Sequence, residues 1–402
     1  MVSSLQSPAY RLYFFGTLGQ FASMNMQIVT GPLLIYRLTG SSALLGTMSL
    51  ASALPMIFMS FLGGAVADRL QKKQILIAGL LCTAAISLGV ALALDTGYLS
   101  RENTGSWRIL IIFSFCQGAI MGLMMPALQA IIPEIVSRAH LMNAVALNML
   151  GMNLLNLFAP TAAGLMIDHF DFKAVYYAMT GLYVYASLII LFIPRANRQA
   201  VHASGILTDI QRGLQYIRQD STILFLLGFT LVIVVLSMPY QQLLPIYADD
   251  ILKVGATGMG VLMSVSGAGA LAGSLILASL PNKKRGIILL ASGLVSGVAL
   301  LIFAFSSSWA LSLAVIVFLG LGHTFRSTIS SALLQATTEA AYMGRVMAIL
   351  NIQWGTMSLC TFVAGILAEV VAVQWVLGAL ALMLIIIAIL SIIFFPSIRK
   401  ME

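Results

Sequence analysis

Apolar residues run along this chain in long unbroken stretches, and the polar residues gather in the short segments between them. Stretches such as 379–395 show none of the polar–apolar alternation that a membrane β-strand needs over about ten positions. A helix needs about 20 mostly apolar residues to cross the hydrocarbon of a bilayer. On that measure the sequence predicts twelve crossing helices, at 11–36, 43–67, 74–94, 108–132, 141–167 and 173–193, then 222–247, 257–280, 286–306, 309–336, 344–368 and 373–395.

The longest connection splits the twelve into two sixes, so residues 1–194 are expected to form one bundle, 195–221 a linker and 222–402 a second bundle. Within the linker Ile206, Ile210, Leu214 and Ile217 recur at helical spacing while Asp209, Arg212 and Arg218 face elsewhere, the pattern of an amphipathic tether lying in the membrane interface. An internal repeat supports the division. Leu34-Ile35-Tyr36 answers Pro245-Ile246-Tyr247, and Lys72-Lys73 after the second span answers Lys283-Lys284-Arg285 after the eighth. The fourth and tenth spans open on Trp107 and Trp309 and close on Leu128-Gln129-Ala130 and Leu334-Gln335-Ala336. The expected fold is therefore an all-α polytopic membrane protein, twelve transmembrane helices in two pseudo-symmetric six-helix bundles. Repeats of this kind place a substrate near the bilayer midplane, between halves that rock against each other.

Composition narrows the function classes. Of 402 residues, 60 % are hydrophobic and only 8 % charged, against roughly a quarter charged in a soluble chain. That excludes a soluble enzyme, a nucleic-acid binder and a disordered scaffold. The net charge of +8 reports topology instead: fifteen of the 21 basic residues fall on one side of the twelve-span arrangement and five on the other. By the positive-inside rule both termini are expected in the cytoplasm of a bacterial cell, with the chain in its inner membrane. Cys82, Cys116 and Cys360 lie inside apolar runs, where a thiol acts as a small hydrophobe, so neither a disulfide nor a metal framework is implied. The first residues lack the pattern of a signal peptide. No phosphate-cradling Gly-x-x-x-x-Gly-Lys-Ser/Thr run is present, so no nucleotide cofactor is expected and the chain reads as a non-enzyme.

Ionisable groups inside hydrocarbon are costly and by default mark function. Two lie well inside a span, His323 and Arg326, three apart and hence on one face of the tenth. Arg326 is a permanent cation suited to an anionic group of a substrate, and His323 can titrate near physiological pH. The alternative for Arg326 is a structural clamp on helix-end carbonyls. No acid stands at the midplane. Asp249 and Asp250 lie at an outer helix end, so with His323 they are the candidates for carrying a proton, and protons stay open as a coupling partner.

The segment Gly64-Ala-Val-Ala-Asp68-Arg69-Leu-Gln-Lys72-Lys73 resembles the loop signature of the major facilitator superfamily, with Gln71 in place of the usual second glycine. Pro32-Leu-Leu-Ile-Tyr36, Thr39-Gly40-Ser41, Leu54-Pro55, Gly63-Gly64 and Gly344-Arg345-Val346-Met347 are similar to the branch of that family that includes the enterobactin exporter and macrolide-efflux proteins. The resemblance implies a cytoplasmic gate, with Gly64, Asp68, Arg69, Lys72 and Lys73 on one part and Arg345, at the start of the eleventh span, on the other. An aspartate at a helix end beside an arginine can accept charge-assisted bonds and sit against another helix's N-terminus. Ala159-Pro160-Thr161-Ala162-Ala163-Gly164 is similar to a motif of exporters; its small residues let helices approach closely, and Pro160 predicts a kink. Gln117-Gly118 matches the family's proton-coupling motif, but Ser114 stands where its arginine would be.

The first, fifth, seventh and eleventh spans line the cavity in that family, which makes Gln20, Met24, Gln27, Asn148, Asn156, Gln241, Asn351 and Trp354 candidate substrate contacts beside Arg326 and His323. Amides also hold membrane helices together, at about 1 kcal/mol or less each. The resemblance implies secondary transport, with export of bulky amphipathic molecules such as siderophores or drugs by alternating access. Import of a small organic anion on Arg326, or movement of a lipid or lysolipid, are the alternatives. The partners expected are the small-molecule substrate and the bilayer, and the chain is expected to work as a monomer.

Overall fold

The computed structural model describes residues 3–137, 140–194, 215–280, 284–339, 342–351 and 353–395; among them the chain is helical, without strands. A 3-10 turn at Ser3–Gln6 precedes α1 (Pro8–Thr39), α2 (Ser42–Arg69), α3 (Lys72–Asp95), α4 (Arg108–Ile135) and α5 (Leu141–Leu191). Then come α6 (Ser221–Ser237), α7 (Pro239–Ile246), a π-helical turn at Tyr247–Ile251, α8 (Gly255–Ser279), α9 (Arg285–Phe305), α10 (Trp309–Thr337), α11 (Met343–Asn351), α12 (Gln353–Val370) and α13 (Val373–Phe394).

Among the described residues nine helical segments are long and apolar enough to cross a membrane. One of them, α5, has 51 residues. At 1.5 Å per residue that is about 76 Å, more than twice the hydrocarbon thickness of about 30 Å. Its backbone leaves the helical region at Asp171 (φ 72°, ψ 168°), where the fifth predicted span gives way to the sixth. The dihedrals stay helical through Pro160, and the break comes eleven residues later. The stretch Gly355–Val370 is apolar but shorter. The first helix is too polar to read as a span by composition alone, and half of its 32 residues are buried inside the protein. It starts earlier than the apolar run because the Ser7 hydroxyl caps the Tyr10 N–H at 3.4 Å and Pro8 takes the first helical position. Among the described residues, helix lies within each of the twelve predicted segments.

The chain packs as two compact units, Met1–His202 with Lys253–Ser264, and Ala203–Leu252 with Val265–Glu402. In the first, α1 lies along α5, α2 along α4, and α3 against both α4 and α5. In the second, α9 packs on α10 and α13, and Leu226, Leu289, Leu333, Val346 and Leu384 from five helices meet in one core. The end of the linker belongs to that core: Ile217 is buried, and Tyr216 stacks on Tyr342 with centroids 4.2 Å apart. The other residues of the expected tether, Ile206, Ile210 and Leu214, lie outside the described residues.

The internal repeat reappears in how the helices touch. Gly118 and Gly320 each stand eleven residues past the opening tryptophan of their helix. A Cβ at Gly118 would overlap the carbonyl of Ser52 in α2, and one at Gly320 would overlap the carbonyl of Ser266 in α8. Gly122 against Met56 and Gly269 against Val317 extend the same glycine-to-carbonyl seams. Gly118→Val and Gly320→Val are therefore expected to cost at least ~2 kcal/mol each, read as a loss of thermal stability and folded yield. Gly181→Ala, with nothing within 4 Å of its added methyl, should leave stability unchanged or raised by about 0.5–1 kcal/mol. Equal behaviour of the three variants would contradict the seams.

Candidate functional site

The tenth span carries its one permanent charge on a face turned inward. Arg326 is 3 % exposed. Its guanidinium donates from NH1 to Gln353 Oε1 at 3.1 Å, at the start of α12, and NH2 lies 3.3 Å from His323 Nδ1, one turn earlier on α10. Its Nε is buried and has no acceptor. Among the described residues no carboxylate pairs with Arg326. Two neighbours that bring no negative charge and one unmet donor are a poor settlement for a buried cation, because desolvation is recovered only by an opposite charge with its hydrogen bonds satisfied. The cluster is a ready acceptor for an anion. Gln353 is part of it, and sequence reading did not single it out.

A second charge is placed with equal care in the first unit. Asp168, near the end of the fifth span, accepts from the Thr257 N–H at 2.8 Å and the Ala256 N–H at 3.3 Å, so its carboxylate caps the first turn of α8. That turn opens on Gly255, at φ +65°, a backbone state that side-chain-bearing residues resist. A Cβ at Gly255 would stand 3.6 Å from both Asp168 oxygens and 3.9 Å from Arg37 NH2. Deeper along the same contact, a Cβ at Gly164 would overlap the Ala256 carbonyl and one at Gly260 the Pro160 carbonyl, while the Thr161 hydroxyl donates to Ser264 Oγ at 2.7 Å. The close approach expected of the Ala159–Gly164 stretch is therefore made, and its partner is α8. Sequence reading also passed over Asp168. Its signal was an acid closing one apolar run and Gly255-Ala256-Thr257 opening another.

The remaining candidates scatter through the first unit and the seventh and eleventh spans. Gln27 shares a cavity of about 20 Å³, room for about one water, with Gln117, Tyr176 and Tyr183. Tyr176 and Tyr183 turn toward the two amides across this small cavity. Ser114, which lines the same cavity, donates to Leu110 O at 2.7 Å. Gln20 is buried with Oε1 unpartnered, and Met24 is half-buried. Asn148 accepts from Thr17 Oγ1 at 3.4 Å, as interhelical glue would, and Asn156 is exposed. Gln241 is half-buried beside the Tyr240 hydroxyl. Asp249 and Asp250 both sit in the π-helical turn. The side chains of Asn351 and Trp354 lie outside the described residues, and so do those of Gly64, Asp68 and Arg69. Of the expected gate, Lys72 pairs with Glu134 at the end of α4, Lys73 donates to Ile193 O at 2.7 Å, and the Arg345 guanidinium lies 5.3 Å from the Tyr342 ring centre. The two lysines fasten helix ends within the first unit.

The sequence pattern of the Major Facilitator Superfamily matches residues 13–359. The chain belongs to this superfamily. It is 26 % identical over 375 residues to the MFS-type transporter YfiS of Bacillus subtilis (strain 168), covering 85 % of this chain and 86 % of that protein. It is 25 % identical over 344 residues to the enterobactin exporter EntS of Shigella boydii serotype 4, covering 84 % and 80 %. With macrolide efflux protein A of Streptococcus pyogenes it shares 24 % over 340 residues, 82 % of each chain. Among solved structures it superposes on a peptide transporter POT with a TM-score of 0.77 at 12 % identity, over 97 % of this chain and 95 % of the other. On the nucleoside transporter NupG the score is 0.74 at 15 % identity, over 96 % and 100 %. These likenesses establish the fold. The protein is a membrane-spanning transporter of the superfamily, and nothing in that family membership indicates catalysis.

Proposed function

We propose that this superfamily transporter is a secondary active exporter of bulky amphipathic molecules of the siderophore or drug class, working by alternating access between two six-helix bundles, 1–194 and 222–402. The observation that carries the reading is the buried guanidinium of Arg326, with its unmet Nε and no carboxylate partner among the described residues, in a chain whose curated relatives include an exporter of a siderophore and a macrolide-efflux protein. Arg326 takes an anionic group of the substrate, and His323 and Gln353 orient the guanidinium. Both termini lie in the cytoplasm of a bacterial cell, as the distribution of basic residues favours. Import of a small organic anion is the second reading, since the same cation would serve it.

The test is accumulation of siderophores and lipophilic drugs in cells with and without the protein, repeated with a proton uncoupler. The expected result is lower accumulation when the protein is present, lost with the uncoupler. Higher accumulation of a small anion would overturn export in favour of import, and no change across the panel would overturn this substrate class.

A further inference from the structure

Within the second unit, the last turn of α8, the first turn of α9 and the C-terminal half of α10 enclose a groove of about 280 Å³. Its walls are mostly apolar, Leu277 and Ala278 from α8, Ile288 from α9, and Ile329 and Ala332 from α10, with Ser274 and Thr328 the hydroxyl-bearing residues among them. The Ser274 hydroxyl is already spent on Leu271 O at 2.7 Å. Arg285 lines the groove at the level where α8 stops and α9 starts, and exposed Lys284 precedes it in the run Lys283-Lys284-Arg285. Leu275, Ile276, Leu280 and Ile287 around it are exposed, with Leu275 at 66 %, as side chains facing acyl chains are. From the end of α10 to Thr328 is nine residues, so the groove reaches about 14 Å from the helix ends into the bilayer.

We propose that this groove is a binding site for an anionic phospholipid, with an acyl chain against Leu277, Ile288 and Ile329 and the headgroup phosphate at Arg285 and Lys284. The occupant follows from the match of parts. An apolar channel that starts at the membrane interface and runs into hydrocarbon fits a chain, not an ion. The basic run at its interfacial end complements a negative headgroup, and basic pockets between helices on this face are where such headgroups are held. Free phosphate would use the cations and leave the groove unfilled; a zwitterionic lipid would fill the groove and gain less from the cations. The inference goes beyond the proposed export and does not depend on its direction or substrate.

The test titrates the purified, delipidated full chain with phosphatidylglycerol, phosphatidylcholine and glycerol 3-phosphate, reading bound lipid by native mass spectrometry and thermal stability in parallel. Phosphatidylglycerol is expected to bind on the order of tenfold more tightly than phosphatidylcholine. That preference should fall to within about twofold in the Lys284→Gln/Arg285→Gln double variant. Ala332→Phe, which fills the groove without touching charge, should abolish the preference as well. Equal binding of the two lipids by the unmodified protein overturns the proposal, whatever the variants do. So does a preference that survives both variants, and so does glycerol 3-phosphate matching phosphatidylglycerol.

Discussion

Arg326→Ala is expected to cut movement of anionic substrates steeply while sparing neutral ones. A hydrogen-bonded charge contact is worth about 1.5–3 kcal/mol, so the loss should be on the order of tenfold to a hundredfold in transport rate for a carboxylate-bearing or otherwise acidic substrate. A neutral macrocycle gains nothing from the cation and should move at close to the unmodified rate. Arg326→Lys keeps the charge but not the planar fork that reaches Gln353 and His323 together, so it should recover only part of the rate. Uptake into inverted vesicles with paired acidic and neutral substrates separates these outcomes. A structural clamp predicts something else: equal loss for both substrate types together with lower thermal stability. That result would remove Arg326 from the site.

Asp168→Ala should free the first turn of α8. Losing an N-cap carboxylate costs about 1 kcal/mol, and the lost attraction to the helix dipole adds about 0.3–1 kcal/mol. A change of that size, about 1.3–2 kcal/mol, moves a two-state equilibrium roughly nine- to thirtyfold. With Cys82, Cys116 and Cys360 replaced by alanine and a single cysteine placed at Ala256, which is buried in the capped turn, the labelling rate by a maleimide should rise by about that factor in the Asp168→Ala background. Asp168→Asn keeps one acceptor oxygen and loses the charge, so it should fall between. An unchanged labelling rate would mean that the cap is local and gates nothing.

The spans were readable because a run of some twenty apolar residues is a local property that lipid imposes directly. Where other forces act, the reading weakened. Composition understates α1 because buried protein, not lipid, surrounds half of it. The seventh span read as one run, yet in the structure α6 ends at Ser237, Pro239 opens α7, and a π-helical turn follows. The site divides along the same line. Arg326 and His323 stood out as the ionisable pair within a greasy run, whereas Gln353 became part of the cluster only through the register of α12 on α10. Asp168 looked like any helix-end acid until it met backbone N–H groups about ninety residues further along the chain.

The glycine seams carry a mechanical consequence. Where α2 meets α4, and α8 meets α10, carbonyl oxygen rests on bare Cα, and no rotamer lies between to swivel. Interfaces lined by long side chains can slip by re-sorting their torsions; these cannot, since any slide drives main chain into main chain. Each pair therefore behaves as a stiff plank, and whatever bending a working cycle demands must be supplied by softer joints such as the proline-and-π interruption between Ser237 and Ile251.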